Sequence, residues 1–168
     1  MNLVSIIILS NLSIINCYSN RILYYKNYAN KYITKYIENH PNNIGKSVID
    51  IGCNTGYSTL QYKPAGSVGV DESLDVLKIA RQLHPNKVFY KGCLDTFGPS
   101  KCFDTALLSF TISSNDNWEE ILKNTHRLSK NGIIIQDYNT VINYLEKKYY
   151  KNYKIRHVID NKVSLLIV

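Results

Sequence analysis

The sequence predicts an α/β fold, in which helices cover both faces of a mostly parallel β-sheet and an antiparallel hairpin ends the chain. Two observations carry this prediction. From Ser47 onward, short apolar runs alternate with amphipathic stretches at helical spacing. The last two apolar runs are separated by Asp160-Asn161, which has the composition of a hairpin turn. The 168 residues are enough for one well-buried domain and too few for two ordinary ones.

Seven strands follow from the apolar runs. The first five are joined through helices, and such crossover connections make neighbouring strands parallel. The remaining two run antiparallel as the terminal hairpin. The predicted strands are, in chain order, SVIDIG, SVGVD, KVFYKG, FDTALLSF, GIIIQDY, YKIRHVID and KVSLLIV.

Helices are predicted between these strands, where apolar residues recur every three or four positions. A short helix over 56–63 follows the first strand, and Ser73 can cap the next helix. Asp116 or Asn117 can begin a third helix, and residues 140–152 form a fourth. The inward faces of the last three helices contain Val76, Leu77, Ala80 and Leu83; Trp118, Ile121, Leu122 and Leu128; and Val141, Ile142 and Leu145.

The N-terminal residues allow two interpretations. Residues 1–19 are apolar, as in a signal peptide, but no Lys or Arg precedes the apolar run and polar residues interrupt it. We therefore favour an N-terminal helix packed on the core. Residues 21–39 carry tyrosines three or four positions apart with charges between them, which predicts an amphipathic helix.

The net charge of +7 lies at the two ends of the chain. Residues 1–44 carry +3, residues 45–140 are neutral and residues 141–168 carry +4. Lys outnumbers Arg by sixteen to four, so the chain is poor in the side chain best suited to phosphate and guanine. The composition therefore disfavours nucleic acid as the main partner.

The cysteines indicate a reducing compartment. The chain has four, Cys17, Cys53, Cys93 and Cys102, and no Cys-x-x-Cys pair. Their spacing fits neither a disulfide framework nor a zinc site, so no metal is predicted. A cytoplasmic location is expected, and the secretory pathway is the alternative if residues 1–19 are a signal peptide.

The segment VIDIGCNTGYST, residues 48–59, joins the first strand to the following helix through two glycines. In open α/β sheets, ligands bind beyond the carboxyl ends of the strands at such a position. A dinucleotide site would have Gly-x-Gly-x-x-Gly here, and a P-loop would end in Gly-Lys-Ser/Thr. The chain has Gly52-Cys53-Asn54-Thr55-Gly56 followed by Tyr57, which fits neither. Asn54, at the centre of this turn, tolerates the left-handed backbone conformation.

Two carboxylates indicate a different ligand. Asp50, beside the turn, would repel a phosphate and suits a cationic group. Asp71 ends the second strand, where it can accept hydrogen bonds from ribose hydroxyls, as the acidic residue of dinucleotide sites does. A nucleoside with an ammonium group and no phosphate fits both, and S-adenosylmethionine is such a molecule.

Taken together, these segments resemble class I S-adenosylmethionine-dependent methyltransferases of the type 11, ubiquinone-biosynthesis-like group. DIGCNTG resembles the family's first motif, Asp-x-Gly-x-Gly-x-Gly. VGVDESLDVLKIARQLHP resembles its acidic second strand and the helix after it. FDTALLSF and WEEILKNTHRLSKNGIIIQDY resemble the region from its fourth to its fifth strand. The resemblance covers residues 45–140 and implies a Rossmann-like, seven-stranded sheet.

The resemblance also implies roles in cofactor binding. The turn after the first strand would meet the methionine end, and Asp71-Glu72 would meet the ribose and the adenine edge. The family often has Gly-Asp-Ala after its third strand; here Cys93 stands in the place of that Asp, and Asp95 follows two residues later. Phe110 and Thr111 would border the methyl group. The implied cofactor-binding residues are Asp50, Gly52, Cys53, Asn54, Gly56, Asp71, Glu72, Cys93, Leu94, Asp95 and Phe110.

The methyl acceptor is left open by the sequence. Methyl transfer needs alignment more than a catalytic side chain, and no residue stands out as a general base. The fourth strand is not followed by Asn/Asp-Pro-Pro-Tyr, and no recognition domain is inserted. We therefore expect a small-molecule acceptor, with an RNA or protein acceptor as the alternative. A catalytically degenerate binding or scaffold protein and a nucleotide-binding oxidoreductase also stay open.

For the whole chain we predict a single methyltransferase domain over residues 1–168 without a transmembrane span, since the apolar N-terminal run is too short for one. The oligomeric state is not predicted. The parts of the domain are an apolar lead over 1–20, an N-terminal helix over 21–44, a cofactor-binding core over 45–140, and a helix with the terminal hairpin over 141–168.

Overall fold

The computed structural model describes residues 36, 39–40, 44–57, 66–152, 155–158 and 162–168. Among these residues, no helix combines the length and hydropathy needed to cross a membrane. The described strands are β1 (Val48–Ile51), β2 (Val68–Asp71), β3 (Val88–Lys91), β4 (Phe103–Ser109), β5 (Ser129–Tyr138), β6 (Ile155–Val158) and β7 (Val163–Ile167), and the described helices are α1 (Leu74–Leu83), α2 (Trp118–Leu128) and α3 (Asn139–Lys148).

The seven described strands form one sheet in the order β3-β2-β1-β4-β5-β7-β6. β1 pairs in parallel with β2 on one side and with β4 on the other, so the chain reverses its direction along the sheet next to β1. β5 pairs in parallel with β4 and antiparallel with β7, which places the terminal hairpin at one edge. The predicted α/β fold, with its mostly parallel sheet and C-terminal hairpin, is therefore confirmed.

Helices cover both faces of the sheet, as predicted. α2 and α3 pack on one face through Ile121 and Ile142, which are fully buried. α1 packs on the opposite face, where Leu77 meets Phe89 of β3. Tyr36 is buried on that same second face, farther along the sheet. The strand registers place Phe89, Gly69, Asp50 and Leu107 in one row across this face.

The predicted starts of α1 and α2 are both found, but only α1 has a side-chain capping hydrogen bond. Ser73 caps α1 as predicted, since its Oγ accepts the Val76 N–H at 3.5 Å. Asn117 occupies the N-cap position of α2 but makes no capping hydrogen bond with its side chain. Its amide donates instead to Asp95 Oδ2 at 3.2 Å, which ties the start of α2 to the loop after β3.

Three details of the prediction are wrong. Leu83 is 44 % exposed rather than inward, because α1 covers the end of the sheet, where the edge strand β3 has no further neighbour. β5 begins at Ser129, directly after α2, because Lys101 Nζ binds the Ser129 carbonyl at 2.8 Å and holds this segment beside β4. α3 ends at Lys148, four residues before the predicted end.

Several predictions fall on other parts of the chain. The helix over 56–63, most of the helix over 21–39, residues 1–19 and the turn at Asp160-Asn161 lie wholly or mainly outside the described residues. The division of residues 1–168 into four parts of a single domain stays a prediction.

Candidate cofactor-binding site

A cavity of about 180 Å³ opens at the carboxyl ends of β1, β2 and β4. This is the edge of the sheet at which the sequence predicts a ligand. Among the described residues, the charged side chains that line the cavity, Asp71 and Glu72, are both acidic. The lining residues are Gly52, Asn54, Asp71, Glu72, Leu94, Ser109, Phe110, Thr111, Ser114 and Asn115.

The turn after β1 forms one wall of this cavity. Gly52 has φ +75°, and a Cβ on it would lie 2.9 Å from the Thr111 side chain, so only glycine fits there without a shift. Asn54 has φ +50°, the left-handed conformation that the sequence predicts. Its N–H donates to Asp71 Oδ2 at 2.9 Å, which fixes the turn against the end of β2.

Asp71 holds two loops and still faces the cavity. Its Oδ1 accepts the Ser73 N–H at 2.9 Å, in addition to the bond from Asn54. Burial raises the pKa of the Asp71 carboxyl, and this effect exceeds the opposing effect of the two N–H donors. Each carboxylate oxygen has two lone-pair sites, so Asp71 retains capacity to accept hydrogen bonds from a ligand.

The loop after β3 closes the side of the cavity next to β2. Glu72 Oε1 accepts the Leu94 N–H at 3.1 Å, and the Leu94 carbonyl accepts from Asn124 Nδ2 at 2.7 Å. Leu94 is therefore held between β2 and α2. Cys93 is exposed and Asp95 binds the start of α2, and neither of them lines the cavity.

The segment after β4 folds back over the turn after β1. Phe110 has φ +54°, which is a strained conformation for a bulky residue. Its N–H donates to the Gln136 carbonyl at 2.7 Å, and the next residue, Thr111, donates its hydroxyl to the Ile51 carbonyl at 2.8 Å. These bonds hold Phe110 and Thr111 against the cavity.

Ser109 fits a bound polar group. Its Oγ is buried and has no hydrogen-bond partner among the described residues, although the residue lines the cavity. Buried hydroxyls in folded proteins are almost always paired, so this atom is an available partner for a ligand. Sequence reasoning missed Ser109, Ser114 and Asn115 as lining residues. For Ser109 a signal exists, because it is the last residue of β4, and ligands of such sheets bind beyond the carboxyl ends of the strands.

Three residues of the predicted first motif lie behind the cavity. Asp50 is fully buried within β1. Cys53 packs beneath α1, and burial, then the nearby Asp50 and Asp71 charges, raise the pKa of its thiol, so it is a neutral packing group rather than a nucleophile. Gly56 has φ +83°, and a Cβ there would lie 2.6 Å from the Phe89 ring. The cavity thus unites Gly52, Asn54, Asp71, Glu72, Leu94 and Phe110 of the predicted set, and not Asp50, Cys53, Gly56, Cys93 or Asp95.

Comparison with known families and sequences agrees with this geometry. The family model described as "Methyltransferase domain" matches residues 48–132, half of the chain. Demethylmenaquinone methyltransferase of Geobacillus stearothermophilus is 29 % identical over 99 residues, which cover 52 % of this chain and 42 % of that protein. The match therefore spans less than half the length of this curated relative.

Solved structures share the fold. Magnesium protoporphyrin IX methyltransferase from Synechocystis PCC 6803, with bound SAM, has a TM-score of 0.65 at 14 % identity, over 85 % of this chain and 78 % of that one. The PH0226 protein from Pyrococcus horikoshii OT3 has a TM-score of 0.61 at 16 % identity, over 82 % and 90 % of the two chains. The family match shows that the chain belongs to the methyltransferase-domain family, a family of class I S-adenosylmethionine-dependent methyltransferases, and the shared fold agrees with it.

Proposed function

We propose that the chain binds S-adenosylmethionine in this cavity and transfers its methyl group to a small-molecule acceptor. The observation that carries the proposal is the charge of the lining. Asp71 and Glu72 are acidic, and no basic side chain stands among the described lining residues. A phosphate-bearing dinucleotide would be repelled here, whereas a cationic nucleoside without phosphate is attracted.

Different residues of the cavity would contact different parts of the cofactor. The Asp71 carboxylate, fixed by two backbone N–H groups, would accept hydrogen bonds from the ribose. Glu72 and the backbone of Leu94 would border the adenine, a role that the family resemblance also implies for Cys93 and Asp95. Gly52 and Asn54 would border the methionine end. Asp50, Cys53 and Gly56 would support that end from behind, by their burial and by the shape of the turn.

When bound, S-adenosylmethionine supplies a methyl group that is already activated on its sulfonium sulfur. The protein's task is then alignment and exclusion of water. Phe110 lines the cavity, and its ring is supported by the Tyr138 ring, with 5.3 Å between the two centroids. The Ser109 hydroxyl offers one further hydrogen bond to the bound molecule.

Calorimetric titration with S-adenosylmethionine and S-adenosylhomocysteine tests the cofactor. We expect micromolar binding by the wild type and at least tenfold weaker binding by Asp71→Asn, since a hydrogen bond to a charged group is worth about 1.5–3 kcal/mol. Asp75→Asn is the matched control, because Asp75 is an exposed acid on α1 outside the cavity. A folded protein that binds neither compound would sink the proposal.

The acceptor needs a separate screen with labelled S-adenosylmethionine. The curated relative's name makes demethylmenaquinone a rational first compound. An RNA or protein acceptor would be recognised by transfer to macromolecules in the same assay.

A second candidate is a binding or scaffold protein that keeps the cofactor site without turnover. The exposed Cys93, at the position of the family's adenine-binding Asp, favours it. Cofactor binding without transfer to any acceptor would support this candidate. A thermal shift with NAD and none with S-adenosylmethionine would instead indicate an oxidoreductase.

A further inference from the structure

A second cavity, of about 580 Å³, adjoins the cofactor cavity. Asn115 lines both cavities. The segment before it is shared between them, since Thr111 and Ser114 line the first and Ile112 and Ser113 line the second. The volume falls within the roughly 300–1,000 Å³ that is usual for small-molecule sites.

We propose that this second cavity binds the methyl acceptor and selects an uncharged, flat, ring-bearing molecule with a hydroxyl group. The proposal rests on the proposed function for the neighbouring cavity. Its three supports are an aromatic wall, the charge of the lining, and the junction at Asn115.

The aromatic wall is built from α2 and α3. Trp118 and Tyr144 meet edge to face with their ring centroids 5.7 Å apart, and both line the cavity. Val141, one turn before Tyr144, and Ile112 add aliphatic surface. Such walls bury flat rings well, because aromatic pairs favour offset and edge-to-face contacts.

The charges in the lining and beside it, Asp116 and Lys148, together disfavour ions of both signs. Asp116 is the one charged side chain among the described lining residues, so a carboxylate or phosphate would be repelled. A cation already lies beside the aromatic wall, because Lys148 Nζ is 6.0 Å from the Trp118 ring centroid and 5.4 Å from that of Tyr144. This Lys is bound to Glu119 at 2.8 Å and to the Tyr144 hydroxyl at 2.9 Å. A neutral ring is left as the best occupant.

The junction between the cavities is polar. Asn115 Nδ2 donates to the Thr111 carbonyl at 2.7 Å, which holds the amide at the shared wall. Ser113 and Thr140 add hydroxyl groups to the second cavity. A hydroxyl on the acceptor would therefore find hydrogen-bond partners in this cavity, and one of them, Asn115, lies where it adjoins the cofactor cavity.

Three naphthalene derivatives of similar shape test the selectivity: 2-naphthol, 2-naphthoate and 2-naphthylmethylammonium. Each is titrated by calorimetry into the protein with S-adenosylhomocysteine present. Trp118 is the single tryptophan of the chain, so quenching of its fluorescence places a bound probe at this cavity. We expect 2-naphthol to bind at least fivefold more tightly than either charged probe. Equal or tighter binding of a charged probe, or naphthol binding without quenching, would overturn the proposal.

Two tyrosines provide a matched pair of variants. Tyr144 and Tyr149 are 46 % and 41 % exposed, and both meet Trp118 edge to face, yet of the two Tyr144 alone lines the cavity. Tyr144→Ala should weaken 2-naphthol binding at least fivefold and Tyr149→Ala less than twofold. Equal losses would contradict the proposal.

A third variant is expected to bind one probe more tightly, a result that misfolding could not produce. Asp116→Lys changes the charge of the lining by two units at an exposed position that water partly screens, so 2-naphthoate should bind at least twofold more tightly to this variant than to wild type. An unchanged preference among the three probes would contradict the electrostatic argument.

The affinity for S-adenosylmethionine, measured alone in each variant, separates the two proposals. It should stay within twofold of wild type in all three. If the protein binds S-adenosylmethionine but shows no selectivity for 2-naphthol, the acceptor assignment is wrong and the proposed cofactor site stands. Absence of cofactor binding sinks the proposed function and the acceptor assignment with it. A single-stranded RNA that displaces 2-naphthol and binds more tightly would overturn the small-molecule assignment.

Discussion

Asp71, at the end of β2, and Asp137, at the end of β5, are both held by backbone N–H groups, but they have different roles. Each carboxylate accepts one backbone N–H from a loop distant in the chain and one from a residue that closely follows it. For Asp71 one of the donors is Asn54, and for Asp137 one is Ser113, at 3.1 Å. The second donor to Asp137 is the N–H of Tyr138, at 2.8 Å.

The two carboxylates differ in what else can reach them. Asp137 is fully buried, and burial raises the pKa of its carboxyl. Asp71 is half-buried, lines the cofactor cavity, and has its pKa raised by the same cause. Asp137 thus supports a loop, whereas Asp71 supports a loop and also faces the cavity. The difference predicts that one residue governs stability and the other governs binding.

Truncation of the buried carboxylate should have the largest effect. Asp137→Ala leaves the N–H groups of Ser113 and Tyr138 without their acceptor, and each such loss costs about 1–3 kcal/mol. We expect the free energy of unfolding to fall by about 2–4 kcal/mol. Asp71→Ala should cost about 1 kcal/mol, because water can reach its donors. Urea denaturation measures both, and equal losses would remove the distinction.

Stabilisation by bound S-adenosylhomocysteine should depend more on Asp71 than on Asp137, the reverse of their effects on the stability of the free protein. At a concentration about 100 times its Kd, S-adenosylhomocysteine stabilises a protein by about 2.7 kcal/mol. Asp137→Asn should keep most of this protection, because it retains an acceptor oxygen and lies outside the cofactor cavity. Asp71→Asn, binding tenfold more weakly, should keep about half of it. A thermal shift series at fixed ligand concentration measures this, and equal protection of the two variants would contradict it.

The same comparison shows which parts of the site the sequence could reveal. Asp71 was predicted because its neighbours in sequence, an apolar strand before it and a helix cap after it, define the end of β2. Asp137 was not singled out, because its role depends on Ser113, which lies 24 residues away in the chain and meets it only in the folded sheet.

The wall after β4 was harder to predict for the same reason. Its path is set by tertiary hydrogen bonds, from Thr111 to Ile51 and from Phe110 to Gln136, and no glycine or repeated spacing marks it. Ser114 and Asn115 therefore had no signal in the sequence. The strands were predictable because each buried run is local, whereas their order in the sheet was not predicted. The outward position of Leu83 was not, since it depends on where the sheet ends.

The dependence of stability on pH tests the raised pKa values. Since the pKa of Asp71 and of Asp137 is higher in the folded chain, the folded state holds more protons than the unfolded state just above about pH 4. Stability should therefore fall as pH rises through the folded pKa values. Asp71→Asn and Asp137→Asn should each make this fall shallower, as measured by urea denaturation at a series of pH values.

Asp104 is a control, because the pKa of its carboxyl is shifted in the opposite direction. The N–H of Lys46 lowers the pKa of the Asp104 carboxyl, so its contribution to stability is lost as pH falls rather than as it rises. Asp104→Asn should therefore lessen the loss of stability as pH falls below about 4 and leave the decline above that pH unchanged. If Asp104→Asn flattens the decline above about pH 4 as much as the other two substitutions do, the assignment of the raised pKa values to Asp71 and Asp137 is wrong.

The smallest expected effect separates Asp71 from its neighbour in the acidic pair. Glu72 also lines the cavity, but it is exposed, and it binds the Leu94 N–H through a flexible side chain. Glu72→Gln keeps an oxygen for that bond and removes a charge that water already screens. The affinity for S-adenosylmethionine should therefore change less than about threefold by calorimetry. A tenfold loss, equal to that expected for Asp71→Asn, would mean that the two carboxylates hold the ligand as one unit, and that rigid support by backbone N–H groups is not what distinguishes Asp71.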